Sequence, residues 1–262
     1  MVAPLSLGIS PCPNDVYIFA GLILGAVGWD GPPVNIAYED VESLNGRARA
    51  GAYDIIKISY ASYPLVASAY DLLPSGGALG RGVGPLLLRH GSPALDWDGE
   101  LLVPGEFTTA NFLLDYCLPR PIVKRYLPFD KLYQELCNQP GSQGVVIHEK
   151  RFTYLKDGLT LIQDLGEYWE DRTGHPIPLG AIIARRESVS AGAVDDLVRR
   201  SLAWADAHPE SAFDLCREHA ADLTDGVIQA HIDLYVNRYS RDLGDDGRAA
   251  VDFFFAERAR RK

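Results

Sequence analysis

His148 ends the run Gly144-Val145-Val146-Ile147-His148, which puts an imidazole at the carboxyl end of a short buried strand. Histidine is the side chain whose ordinary pKa suits proton transfer near neutral pH. Burial disfavours the imidazolium, so a partly buried strand-end ring is expected to be the neutral base. A hydrogen-bonded structural histidine is the competing reading. Thr108 and Thr109 open the apolar segment TTANFLLDYC. Two hydroxyls and free amides at a helix N-terminus accept a carboxylate without needing a lysine. A threonine cap alone would account for one of the two. The third cluster is Ser10-Pro11-Cys12-Pro13-Asn14-Asp15, directly after the apolar run Leu5 to Ile9. Its prolines stiffen the turn, and Asn14 or Asp15 is placed to cap the following helix. Ser59, after Ile55-Ile56-Lys57-Ile58, offers the same strand-to-helix geometry. Together these residues sketch a crevice with a proton-transferring histidine, a carboxylate-binding helix start and an acidic partner in Asp15.

Other candidates are weaker. Cys12, Cys117, Cys137 and Cys216 are widely spaced, which disfavours disulfides and zinc and favours reduced, mostly buried thiols. Cys12 alone has a position from which it could act, but no base lies near it in sequence. His90 and His175 flank chain crossovers, while His208, His219 and His231 have no metal-ligand spacing. The glycine-rich stretch 75–85, SGGALGRGVGP, does not lead from a strand into a helix as a phosphate loop does. It reads as a flexible approach to the run Leu86-Leu87-Leu88, with its backbone near a ligand as the functional variant.

The elements that must position these residues follow a strand–turn–helix grammar. Strands are expected at Leu5–Ile9, Val34–Tyr38 and Ile55–Ile58, each followed by a helix, the third over Tyr60 to Ala69. Such a series predicts a parallel α/β sheet whose turns share one carboxyl edge, where ligands of open α/β sheets bind. A second series follows, with strands at Glu100–Val103, Ile122–Leu127, Gly144–Ile147 and Leu161–Leu165. Gly180 to Ala184 is a further strand, and four helices close the chain. The simplest arrangement is two α/β lobes, residues 1–92 and 176–262 forming the larger with its helical tail and residues 93–175 inserted as the smaller.

Composition narrows the classes. The 262 residues carry a formal charge of −10, which speaks against a nucleic-acid partner, since such domains are usually basic. There is no run of apolar residues long enough to span a bilayer and no signal-peptide pattern at the start, so a cytoplasmic protein is expected. The sequence leaves the oligomeric state open.

SPCPNDVYIF, EDVESLN, ISYASYP, PGEFTTANFLL, GVVIHEKRFTY, DLGEYWE and PIPLGAIIARR occur in this order along the chain. Their set resembles the 1,4-dihydroxy-6-naphthoate synthases, lyases of the futalosine route to menaquinone. The resemblance covers about residues 5 to 186 and is less diagnostic in the tail. It implies a two-lobed, periplasmic-binding-protein-like (type II) α/β fold. It further implies cleavage of cyclic dehypoxanthinyl futalosine, a small-molecule carboxylate, with no metal or organic cofactor. The family's catalytic histidine falls on His148, its threonine pair on Thr108 and Thr109, and its turn on Pro13, Asn14 and Asp15. Chorismate dehydratase, a sister enzyme of the same fold, is the nearest rival. A transporter's solute-binding protein and a regulator's sensing domain are the non-catalytic ones.

Overall fold

The computed structural model describes residues 3–29 and 31–261. In chain order, strand β1 (Leu5–Ile9), helix α1 (Pro13–Ile23), β2 (Val34–Tyr38), α2 (Val41–Arg49) and β3 (Ile55–Ser59) form the expected series. β1 pairs in parallel with both β2 and β3, so the carboxyl ends of all three point the same way. β3 is buried along its whole length, which explains its near-continuous apolar run. A 3-10 turn over Tyr60–Leu65 replaces the expected helix to Ala69. Pro64 lies inside it and can neither donate a backbone hydrogen bond nor continue an α-helix without clash. The short strands β4 (Tyr70–Leu72) and β5 (Ala78–Gly80) complete this part.

The glycine-rich segment carries the chain into a second sheet. β6 (Leu86–His90) already belongs to it, so the change of sheet precedes residue 92. β7 (Leu101–Val103), α3 (Thr109–Cys117), β8 (Lys124–Tyr126), α4 (Phe129–Asn138), β9 (Gln143–Val146), β10 (Leu159–Asp164) and α5 (Leu165–Thr173) follow. Their strand order is β10-β6-β9-β7-β8. β7 runs parallel to β8 and β9, whereas β6 pairs antiparallel with β9 and β10. β11 (Ile177–Arg185) then returns to the first sheet, antiparallel to β3, giving the order β2-β1-β3-β11-β4 with β5 also against β11.

The tail consists of α6 (Ala191–Ala207), α7 (Pro209–His219), α8 (Asp225–Tyr235), α9 (Arg238–Arg241) and α10 (Gly244–Arg260). α6, α7 and α8 bury their apolar faces against α1, sharing one core with Ile18, Phe19, Val198, Cys216 and Ile232. α10 behaves differently from a tail confined to one sheet. Its Phe254 packs edge-on against Phe112 of α3 and Trp169 of α5, so the chain's end ties the second sheet's helices to the first.

Candidate functional site

A cleft of about 770 Å³, its open mouth included, lies where the carboxyl ends of β1 and β3 face the N-terminus of α3 and the turn after β9. Seven of the eight residues singled out from sequence line it: Ser10, Asn14, Asp15, Ser59, Thr108, Thr109 and His148. Pro13 is buried behind them as the first residue of α1, its carbonyl accepting the Cys216 thiol at 3.4 Å. Val83, Gly84 and Pro85 of the glycine-rich crossover also reach the cleft. Gly84 is needed there because a Cβ would stand 2.2 Å from the Gly166 Cα.

The turn after β1 is tied down by Asp15 rather than capped by it. The cap position of α1 is Cys12, which makes no side-chain cap bond, and Pro13 occupies the first helical position. Proline suits that position because its missing N–H would have had no intrahelical partner. Asp15 instead turns back. Its Oδ2 accepts from the Ser10 hydroxyl at 2.7 Å, and its Oδ1 accepts from Asn14 Nδ2 at 2.8 Å. Lys57 Nζ lies 2.8 Å from the same Oδ1 and also donates to the Gly76 carbonyl. The Asp15 carboxylate is therefore fully engaged within the protein.

Ser59 does not cap the turn that follows it. Asn45 holds it instead, donating from Nδ2 to the Ser59 hydroxyl and accepting the Ser59 N–H at Oδ1. The hydroxyl proton of Ser59 stays available to a ligand. At the start of α3 the Thr108 hydroxyl is the cap, accepting from the Asn111 N–H at 3.1 Å and donating to the Gly105 carbonyl. The Thr109 hydroxyl joins the two sheets, donating to Leu179 O of β11 and accepting from the Ala61 N–H. What remains for a carboxylate is the free backbone amides of the first turn, at Thr109 and Ala110, rather than the two hydroxyls.

Sequence reasoning missed three cationic or titratable groups. Lys57 and Arg151 both line the cleft, so the site is not devoid of strong cations. Arg151 donates to the Gly84 carbonyl and pairs with Asp164 at 3.3 Å, leaving its face toward the cleft. His231 of α8 is 1% exposed, and among the described residues neither of its ring nitrogens has a hydrogen-bond partner. Burial, reinforced by the nearby His148, pushes its pKa down to about 3.

His148 starts a 3-10 turn over His148–Phe152 instead of ending the strand, which closes at Val146. Its φ of 58° is left-handed, a conformation that costs an L-residue roughly 1–2 kcal/mol. The ring packs edge-on against Phe129 at 5.2 Å, and Nδ1 lies 3.4 Å from the Cys12 sulfur. Burial would lower its pKa, but the Cys12 sulfur, Glu149 and Asp15 together outweigh it and hold the imidazole up at about 9. Against the expectation of a ring kept neutral by burial, Cys12, Glu149 and Asp15 favour the cation. Among the described residues no three His, Cys, Asp or Glu side chains cluster as metal ligands, and no helix is long and apolar enough to cross a membrane.

Two α/β sheets with a cleft between them and helices around them define the periplasmic-binding-protein-like class. An aliphatic sulphonate binding protein of Escherichia coli superposes with a TM-score of 0.64 at 13% identity, over 99% of this chain and 89% of that one. An alkanesulfonate-binding protein of Xanthomonas axonopodis pv. citri gives 0.69 at 14%, over 98% and 94%. A protein of Archaeoglobus fulgidus is nearer, with a TM-score of 0.89 at 27% identity over 98% of this chain and 97% of its own. The profile of a menaquinone biosynthesis family matches residues 5–260. A 1,4-dihydroxy-6-naphthoate synthase of Thermus thermophilus is 47% identical over 97% of this chain and 93% of its own. Its counterpart in Streptomyces coelicolor is 41% identical over 94% and 90%. The chain belongs to the 1,4-dihydroxy-6-naphthoate synthase family, enzymes of menaquinone biosynthesis.

Proposed function

We propose that this chain is a carbon–carbon lyase that converts cyclic dehypoxanthinyl futalosine to 1,4-dihydroxy-6-naphthoate in the cleft between its two lobes. The observation that carries the reading is the position of His148, whose left-handed backbone sets its imidazole on the same cleft as the N-terminus of α3. The substrate carboxylate sits on the free amides of Thr109 and Ala110, with Arg151 as the neighbouring cation. Ser59 offers its hydroxyl proton to the sugar end, while Asn14 and Asp15 shape that wall through Lys57. His148 is the general base: it removes one proton, elimination and carbon–carbon cleavage follow, and aromatisation to the naphthalene diol drives the fragmentation. Acid–base chemistry suffices for these steps. The enzyme works in the cytoplasm, where its free cysteines stay reduced.

The sign of the pH dependence follows from the raised pKa. The base form of His148 is lost as pH falls through about 9, so turnover should climb from neutral pH toward that value and level off above it. The test is to supply cyclic dehypoxanthinyl futalosine and chorismate separately to the purified protein and its His148→Asn variant. Naphthoate formed from the first, and lost by about 10²-fold or more in the variant, supports the reading. Turnover of chorismate alone would assign the sister dehydration instead. Ligand binding without turnover would make the chain a binding protein.

A further inference from the structure

The mechanism uses His148 but leaves unexplained the thiol that touches it. Cys12 lies at the cap position of the eleven-residue helix α1, partly exposed, with its sulfur 3.4 Å from His148 Nδ1. The two residues are 136 positions apart and follow strands of different sheets, β1 and β9. The contact is therefore made by the fold and not by the local chain. It is also held from both sides. The Cys12 N–H reaches the Ser10 hydroxyl at 3.4 Å, and Ser10 is fixed by Asp15. On the other side, the left-handed backbone of His148 and the edge of Phe129 aim the ring.

We propose that Cys12 is a positioning residue for His148, its sulfur holding Nδ1 so that Nε2 is the nitrogen presented to the substrate. The proposal rests on the reading of His148 as the base. In the competent form the pair holds one proton, between Sγ and Nδ1, with Nε2 bare. The substrate's proton then goes to Nε2, and the ring becomes an imidazolium facing the negative charge on sulfur. Cysteine thus takes the part that a carboxylate plays behind the histidine of a catalytic triad.

Several other groups face the pair. They are Glu149 and Arg151 on the turn of His148, Asp15 with its partner Lys57 on α1 and β3, and His231 and Tyr235 on α8. All of them remain in a Cys12 variant, so a change on replacing Cys12 reports the sulfur. The test follows the imidazole by ¹⁵N NMR in ligand-free parent, Cys12→Ala and Cys12→Ser proteins, with His148→Asn assigning the signal. In the parent, Nδ1 should carry the proton when the ring is neutral, and titration should centre near 9. In Cys12→Ala it should move down by about one unit or more, and the acidic limb of kcat/KM should move with it. Cys12→Ser, which keeps a hydrogen-bonding group but not the charge, should retain the tautomer and lose the raised titration. An unchanged tautomer and titration in Cys12→Ala overturns the proposal even if His148→Asn is inactive. Full activity of His148→Asn instead refutes the base, whatever Cys12 does to the NMR signal. Should Cys12→Ala not fold, the pH profile of Cys12 alkylation by iodoacetamide, read by mass spectrometry, decides. A profile that differs between parent and His148→Asn supports the pair, and identical profiles overturn it.

Discussion

Lys57 Nζ and Asp15 Oδ1 stand 2.8 Å apart beneath the cleft, with the lysine 5% and the aspartate 3% exposed. Both charges are nearly buried, so each depends chiefly on the other and on Ser10, Asn14 and the Gly76 carbonyl. Removing one partner of a buried pair typically costs about 3–5 kcal/mol, because the other charge is left uncompensated. Lys57→Met should therefore lower stability by that order in urea titration. Lys57→Met combined with Asp15→Asn should recover part of the loss, since no charge is then stranded. Equal stability of single and double variants would mean that the pair is not coupled.

Thr109 separates two ways of binding a carboxylate. Its hydroxyl is spent between Ala61 and Leu179, whereas its amide is free at the first helical position. Thr109→Val removes the hydroxyl and keeps the amide. Thr109→Pro removes both, and proline fits here because Thr108 is extended at ψ 153°. If the amide holds the ligand, naphthoate binding by calorimetry should be weaker in the proline variant than in the valine variant by about 1.5–3 kcal/mol. Equal affinities would show that the Thr109 amide does not hold the ligand and leave the Ala110 amide and Arg151.

Much of the frame could be read from the sequence because it is written locally. Largely apolar runs ending at Ile9 and Ile58, each followed by a polar turn, state both the strands and the edge at which they end. The parallel pairing of β1 with β2 and β3 follows from that grammar. Leu86–Leu88 carries no mark in the sequence of which sheet it joins; its pairing with β9 and β10 decides that. Pro64 does carry a signal, since an α-helix begun at Tyr60 cannot run through it undisturbed.

The electrostatics of the site were much less legible. Lys57 reads as one polar residue in an apolar strand, yet a lysine between isoleucines in a fully buried strand demands a partner, and Asp15 was the nearest candidate in the cleft. Cys12 looked isolated because its base lies 136 residues away. A neutral ring at His148 follows from burial alone, whereas Cys12 and Asp15 on α1 and Glu149 on the ring's own turn act on it together. His231 has no metal-ligand spacing in the sequence, and only the packing of α8 against the turn of His148 brings it to the cleft.

His231 and His148 should pull stability in opposite directions with pH. For His148 the folded pKa of about 9 lies above the ordinary 6.5, so its contribution is fully present below 6.5 and disappears as pH rises through 9. For His231 the folded pKa of about 3 lies below 6.5. Above 6.5 the ring is neutral in both states and contributes nothing to the pH dependence. Below 6.5 the unfolded chain takes up a proton that the buried ring refuses, and stability is lost as pH falls toward 3. At about 1.4 kcal/mol per pKa unit, that loss between pH 7 and pH 4 amounts to roughly 3 kcal/mol. His231→Gln removes the titrating group and leaves a neutral side chain in its place. Its stability relative to the parent, measured by urea denaturation at both pH values, should therefore improve by that amount on acidification. Any constant offset from repacking cancels in the comparison. A difference that stays flat between the two pH values would show that the His231 ring accepts its proton normally and is not held neutral against His148.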